Sequence, residues 1–427
     1  MSKELLLHNV NVLDGKLNMQ IKTNTDILIK NGKIIKIENN LKTNGKTLNL
    51  NGAYVMPGLI NMHVHLPGSG KIGGKKVANL QKLVKFIKSN SITRKIGVKI
   101  EAKAAQTELY SGVTTIRTVG GIGDFDSIVS KKIKQNKIMG PTVVASNEAI
   151  CTLHGHMEGT VSVAVNDIDG AIKQVEKIAK TNANLIKLMI TGGVLDCTHR
   201  GHPGELKMQA EIVKACTTKA HELGLKVAAH VEGPEGIIVA ILNGVDTIEH
   251  GALVDDKYLE IFKSNNGALI TTLSPAIPLA LIDPLETGYG EDCEYNTKVL
   301  LDGMIKMAEA CIKHNINVGL GTDTGCPYIT HYDMWRELYY FSKYVDGVDN
   351  NFAIHTATEV NAKILGMDDI IGSVEENKNA DLLILDDNPL NDLTALRNPK
   401  LVIKNGIIIK KKNKKYQNVE AALDKLL

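Results

Sequence analysis

Eight short apolar runs, separated by stretches of helical periodicity, constrain this 427-residue chain more than any other feature. They are Leu59–His65, Val113–Val119, Thr142–Ser146, Leu185–Thr191, Lys226–His230, Asp246–His250, Ala268–Thr272 and Asn317–Asp323. Between most of them, segments such as Asp169–Thr181, Gln209–Leu223 and Thr297–His314 carry apolar residues at helical spacing. Apolar strands joined by helical crossovers predict a parallel sheet, and eight across about 265 residues predict an α/β fold closed as a (β/α)8 TIM barrel. A doubly wound open sheet is the alternative arrangement of the same beat.

The two ends of the chain read differently. Leu5–Val12, Asp26–Lys30, Lys33–Ile37 and Thr47–Leu50 are short β segments, with turn signals at Asn31-Gly32 and Asn51-Gly52. Leu382–Leu385, Leu401–Lys404 and Ile407–Lys411 repeat that character, with a hairpin signal at Asn405-Gly406. One small β domain assembled from both ends is therefore expected, in residues 1–57 and 367–427, around a barrel in 58–366. The basic run Lys410–Lys415 reads as a solvated strand end before a short terminal helix.

Charge and leader signals narrow the setting. With 50 Lys+Arg against 47 Asp+Glu, the chain lacks the cationic excess of a nucleic-acid binder, and aromatics at 4% give few stacking platforms. The segment Ser264–Ile282 is the longest uncharged stretch, yet its Ser, Asn, Thr and Pro residues mark a buried strand and loop, not a membrane span. The beginning of the chain shows no secretory pattern, and none of the six cysteines forms a C-x-x-C pair. These features predict a cytoplasmic protein with free thiols, a small-molecule substrate, and neither nucleic-acid nor membrane partners.

Ligand-type residues collect at the strand ends. His63 and His65 stand two apart at the end of the first strand, so both imidazoles share one face. His230, His250 and Asp323 end the fifth, sixth and eighth strands, and Lys187 lies within the fourth. Taken singly, each histidine has an ordinary core or surface role. Lys187 does not, because an unpaired ammonium in an apolar strand is costly. It needs a carboxylate partner or a modification that removes its positive charge. Carbamylation by carbon dioxide would give an anionic group able to bridge two cations. Six such residues in one register, at the barrel face where active sites lie, point to a metal-dependent enzyme.

The same residues carry a family resemblance. Met56-Pro-Gly-Leu-Ile-Asn-Met-His-Val-His, Gly112-Val-Thr-Thr-Ile-Arg, Ile186-Lys-Leu-Met, Ala229-His, Ile248-Glu-His-Gly and Gly321-Thr-Asp-Thr-Gly resemble the amidohydrolase superfamily, in its imidazolonepropionase-like, prolidase-like branch. Ala357-Thr-Glu-Val-Asn-Ala-Lys-Ile-Leu-Gly, Gly372-Ser-Val-Glu-Glu and Ala380-Asp-Leu-Leu-Ile-Leu extend the likeness over nearly the whole chain. The resemblance implies a (β/α)8 barrel with a small β-sandwich domain formed from both chain ends. It implies that His63, His65 and Asp323 hold one divalent ion, that His230 and His250 hold a second, and that carbamylated Lys187 bridges them. Zinc is the first choice, with manganese or iron also suited to such ligands.

Retention of Lys187 favours a two-metal amidohydrolase over the one-metal deaminases and imidazolonepropionase. In such enzymes a metal-bridging hydroxide attacks an amide carbonyl, with Asp323 as acid and base. A dipeptide of the Xaa-Pro kind or an N-acyl amino acid is the expected substrate. A cyclic or xenobiotic amide is the nearest alternative, and a homo-oligomer is the expected assembly. Candidate substrate-binding residues are His154 and His156 after the third strand, His199 and Arg200 after the fourth, and Tyr328, His331 and Arg336 after the eighth. His154 and His331 are preferred, also as catalytic groups that stabilise a developing oxyanion. Two features depart from simple expectation. Thr118 follows Arg117 where many relatives have Asp, which puts a polar network on the second strand in doubt. Gly68-Ser-Gly-Lys-Ile-Gly73 matches a nucleotide-binding pattern but is read as a mobile loop, Gly68–Gly74, over the site.

Overall fold

Leu5, Leu7, Val10 and Val12 face one apolar core although the spacing from Leu7 to Val10 breaks strict alternation. Asn9 absorbs the extra residue with a backbone φ of 57°, and the register with both neighbouring strands shifts there. This bulge belongs to a computed structural model that describes residues 4–72, 79–197 and 199–427. The chain divides into two compact units, residues 1–61, 106–116 and 332–414 in one and 62–105, 117–331 and 415–427 in the other.

The first unit contains a seven-stranded sheet. Its order is Ile407–Ile409, Leu401–Lys404, Leu382–Leu385, Lys46–Pro57, Glu4–Val12, Lys22–Lys30 and Lys33–Glu38. Glu4–Val12 and Lys46–Pro57 pair parallel, and the remaining neighbours pair antiparallel. Leu382–Leu385 lies directly on Tyr54–Pro57, so the two chain ends share one sheet. Both expected hairpins form, at Asn31-Gly32 and Asn405-Gly406, with positive φ at all four residues. Asn51-Gly52 does not turn the chain. The strand Lys46–Pro57 runs through it, and the register against Glu4–Val12 jumps between Asn49 and Ala53. Positive φ at both residues serves a bulge here instead of a hairpin.

The remaining strands have a TIM-barrel-like arrangement. Leu185–Met189, Lys226–Val231, Thr247–His250, Ala268–Thr271 and Asn317–Leu320 pair side by side, all parallel. The helices Ile168–Ala179, Ala210–Glu222, Pro234–Leu242, Asp256–Ser264 and Glu291–Lys313 alternate with them. Leu59–Val64, Val113–Thr118 and Thr142–Val144 form a second, three-stranded sheet. At one seam a parallel bridge joins Val64 to Thr324, and the Asp323 amide donates to the His63 carbonyl at 2.9 Å. At the other, the Asn184 amide donates to the Ala145 carbonyl at 2.7 Å. The third expected strand is short, and the pair Ala149–Thr152 and Ser162–Val165 follows it.

Ser264–Ile282 resolves into the strand Ala268–Thr271 and the helix Leu273–Leu281, not a strand and loop. Pro275 falls in the first helical turn, where its missing N–H has no intrahelical partner to lose. Pro278 sits inside the helix. Among the described residues no helix is long and apolar enough to cross a membrane.

Candidate metal centre

Strand pleat delivers His63 and His65 to one side, with ring centroids 5.3 Å apart. Each is fixed by its Nδ1. His63 Nδ1–H donates to Glu249 Oε2 at 2.9 Å, and His65 Nδ1–H donates to the Gly120 carbonyl at 2.8 Å. Their Nε2 atoms both face Asp323 Oδ1, at 3.4 and 3.1 Å. Fixing one ring nitrogen in this way sets the tautomer and aims the other as a ligand. Gly321 permits the approach of the eighth strand, because a Cβ there would stand 2.4 Å from the His63 Cβ.

His250 ends its strand and Asp323 lies three residues beyond the strand Asn317–Leu320, with φ of 71° and 54°, a region that non-glycine residues rarely adopt. The turn brings the His250 ring to 4.8 Å from His63 and 4.6 Å from His230, centroid to centroid. His63, His250 and Asp323 present ligand atoms all within 4.8 Å of one another, and so do His230, Glu232 and His250. Burial, then neighbouring basic groups, hold His230 and His250 far below the ordinary imidazole range, so both are neutral with lone pairs to give. Burial would raise Asp323, but His63 and His65 outweigh it and keep the carboxylate ionised.

Lys187 is buried beneath these groups, and among the described residues its Nζ has no hydrogen-bond partner. Desolvation lowers its pKa to about 8, with Glu249 pulling it up and Arg117 pushing it down. An orphaned buried amine amid imidazoles and carboxylates suits a site completed by modification and cations. The donor set as a whole fits divalent ions.

Beneath the site lies a polar network that sequence reasoning placed in doubt. Arg117 NH2 reaches both Glu249 oxygens at 2.7 Å, its NH1 donates to Thr247 Oγ1 at 2.9 Å, and its Nε to the Met62 carbonyl at 2.7 Å. Glu249 is held ionised against its burial, first by Arg117 and then by His63. Thr118 donates to the buried Asp126 at 2.7 Å, so a carboxylate from the following helix stands behind the second strand.

A cavity of about 330 Å³ opens from the ligand cluster. Of the expected substrate residues, His154 is exposed with φ 59°, its amide bonded to Glu158, and it does not line the cavity. His156 lines it instead, stacked on His230 with centroids 4.2 Å apart and paired through Nδ1 with Asp196. Arg200 turns away to the Tyr295 ring and Asp292. Tyr328 is buried in an apolar cluster with Ile282, Val419 and Leu423, and His331 donates from Nε2 to the Gly68 carbonyl at 3.0 Å. Neither is among the residues lining the cavity. His199 borders a separate, more polar cavity, and Arg336 lies buried in the other unit against Trp335. Within the Gly68–Gly74 loop, Gly70 accepts from the Tyr328 amide at 3.0 Å, while Gly73 and Gly74 lie outside the described residues.

Glu232, Glu249 and Asp196 are the additions the structure makes, and of the two expected histidines after the third strand it keeps His156. Glu249 sat within the quoted Ile248-Glu-His-Gly motif, and Glu232 two residues after His230. Burial raises Glu232 to about 8, although the Val194 amide donates to it at 2.7 Å.

Comparison with known proteins agrees with this geometry. The profile of the amidohydrolase family matches residues 54–409. The ochratoxinase of Aspergillus niger is 25% identical over 373 residues, spanning 82% of this chain and 73% of that protein. A candidate prolidase from Bifidobacterium longum has a crystal structure that superposes with a TM-score of 0.87 at 33% identity, covering 99% of this chain and 98% of that one. A Xaa-Pro dipeptidase crystallised with methionine in its active site gives 0.83 at 26% identity, covering 96% and 100%.

Proposed function

The chain belongs to the amidohydrolase family and hydrolyses carbon–nitrogen bonds, and from that premise we propose a two-metal enzyme that cleaves an amide in a small molecule. Lys187 carries the proposal. A buried lysine with no hydrogen-bond partner among the described residues, its pKa lowered by burial to about 8, gives up its proton far more readily than a free lysine and so supplies the uncharged amine that reacts with carbon dioxide. Its carbamate would stand between two ions, one on His63, His65 and Asp323 and one on His230 and His250. Bound there, divalent ions, zinc first, supply an acidified water and polarise the scissile carbonyl.

The protein's own groups then do the rest. Asp323 takes a proton at its carboxylate and passes it to the leaving nitrogen. His156, oriented by Asp196 through Nδ1, lines the cavity wall, and its doubly protonated ring donates Nε2–H to the substrate oxygen. Glu249 and Arg117 keep His63 in its ligating orientation. A dipeptide of the Xaa-Pro kind or an N-acyl amino acid is the substrate class we favour, a reading supported by the likeness to the dipeptidase and by the amide-sized site. The terminal seven-stranded sheet we read as the small sandwich domain of this family.

Metal content tests the reading. Protein purified without chelator should hold about two ions per chain, more fully with bicarbonate, and Lys187→Ala should fall to one or none. One ion per chain, indifferent to Lys187 and bicarbonate, would replace the proposal with a mononuclear deaminase or imidazolonepropionase-type enzyme.

A further inference from the structure

The lining of the cavity beside the ligand cluster is of two kinds. The ligand imidazoles, Lys187, Asp323, Glu232 and the His156–Asp196 pair make its polar part. Much of the rest is apolar. The helix Leu80–Lys88 contributes Leu80, Leu83, Val84 and Ile87, spaced i, i+3, i+4 and i+7, so one helical face forms a wall. Leu279 and Met304 stand in the same lining. Leu80 and Leu83 remain 44% and 39% exposed, an unusual state for large side chains that already face a concavity. Covering them with an apolar ligand removes that surface from water.

Among the described residues no charged side chain belongs to this apolar part of the lining. Among the described lining residues the only lysine is Lys187, and there is no arginine. The two other ionisable groups, Tyr289 and Cys326, are both pushed up by burial and stay neutral. Arg200, the cation expected to grip a substrate carboxylate, is occupied elsewhere by Asp292 and Tyr295. A substrate carboxylate or ammonium against the apolar part would lose its hydration without a partner. A volume of about 330 Å³ is at the lower end of the range for drug-sized ligands.

We infer that the arm of the substrate remote from the cleaved bond is bulky, uncharged and apolar, an aryl or branched alkyl group seated against Leu83, Val84, Ile87, Leu279 and Met304. This rests on the reading of the site as an amide hydrolase and specifies one half of its substrate.

The test compares acetyl-, benzoyl- and 4-carboxybenzoyl-proline on the metal-loaded enzyme, following released proline. Benzoylproline should exceed both others in kcat/KM by at least about tenfold, since pocket complementarity of this kind discriminates on that scale. Leu83→Gln and Met304→Gln should lower the benzoyl-to-acetyl ratio at least about fivefold with metal content retained. Equal or better turnover of the carboxybenzoyl compound, or an unchanged ratio in both variants, overturns the inference. Calorimetric binding of the same compounds separates it from the hydrolase reading. If no compound is cleaved yet benzoylproline binds at least about tenfold tighter than its carboxylated analogue, the apolar subsite stands and the reaction is misassigned. Equal binding, or binding of neither, overturns the inference whatever the reaction.

Discussion

Arg117 and Glu249 form a buried ion pair whose side chains are 4% and 0% exposed, and Glu249 also accepts from His63 Nδ1. Removing one partner leaves an uncompensated charge in the interior, which is far more damaging than the net worth of the pair. Arg117→Met should destabilise the fold by about 3–5 kcal/mol in urea unfolding and weaken metal affinity by about 10–100-fold. Arg117→Met combined with Glu249→Gln should recover part of the stability, because the orphaned charge is gone. A single variant within about 0.5 kcal/mol of the parent would show that the network neither stabilises nor positions His63. Neither residue's role was legible in the sequence, and the reason is geometric. Strand alternation sends Glu249 and His250 to opposite faces, yet both meet His63, because the left-handed backbone at His250 reverses its side chain. His154 and His156 are equally ambiguous in Leu153-His-Gly-His, where no periodicity governs a turn. A positive φ at His154 leaves it exposed, and His156 stacks on His230.

At the scale of elements, the segment Cys326–His331 after the eighth strand is held from two sides. Tyr328 packs with Ile282 and with Val419, Ala422 and Leu423 of the helix Gln417–Leu423, and its amide bonds to the Gly70 carbonyl. Cys326, Pro327 and Ile329 in turn line the cavity. The helix Gln417–Leu423 therefore supports a cavity-lining loop through an apolar contact. Val419→Asp should lower the melting temperature by several degrees, as burial of an unpaired charge does, and should raise amide exchange at residues 325–330 above that in Thr247–His250. Uniform exchange changes, or none at 325–330, would sink the coupling. The sequence shows that a short helix ends the chain but not what it covers, since seven helical residues carry no information about their partner. The parallel beat of the barrel was legible because most of its strands are short apolar runs buried on both faces, and several carry a ligand-type residue at or near their ends. Asn51-Gly52 was misleading for the converse reason: the same two positive φ values serve a hairpin or a bulge, and only pairing with Glu4–Val12 decides.

The whole molecule responds to pH through its buried carboxyls, and Glu101 is the clearest case. It lies on the helix Ser91–Tyr110, buried like its neighbour Asp126, outside the ligand set. Desolvation first, and then the charge of Asp126, raise Glu101 well above the ordinary carboxyl value. In the unfolded chain Glu101 loses its proton near about pH 4.3, whereas the folded chain retains it to much higher pH. Between those points the native state binds the extra proton, so stability falls as pH rises. The contribution of Glu101 is fully present below about pH 4.3 and is lost as pH climbs through the raised folded value. Glu101→Gln keeps the shape and cannot ionise, so the variant should gain stability relative to the parent as pH rises from about 5 to about 9, with the difference growing across the range. Groups that titrate identically in both proteins cancel from that difference, which urea midpoints at successive pH values would measure. A difference that is flat with pH would mean that Glu101 is already ionised in the fold.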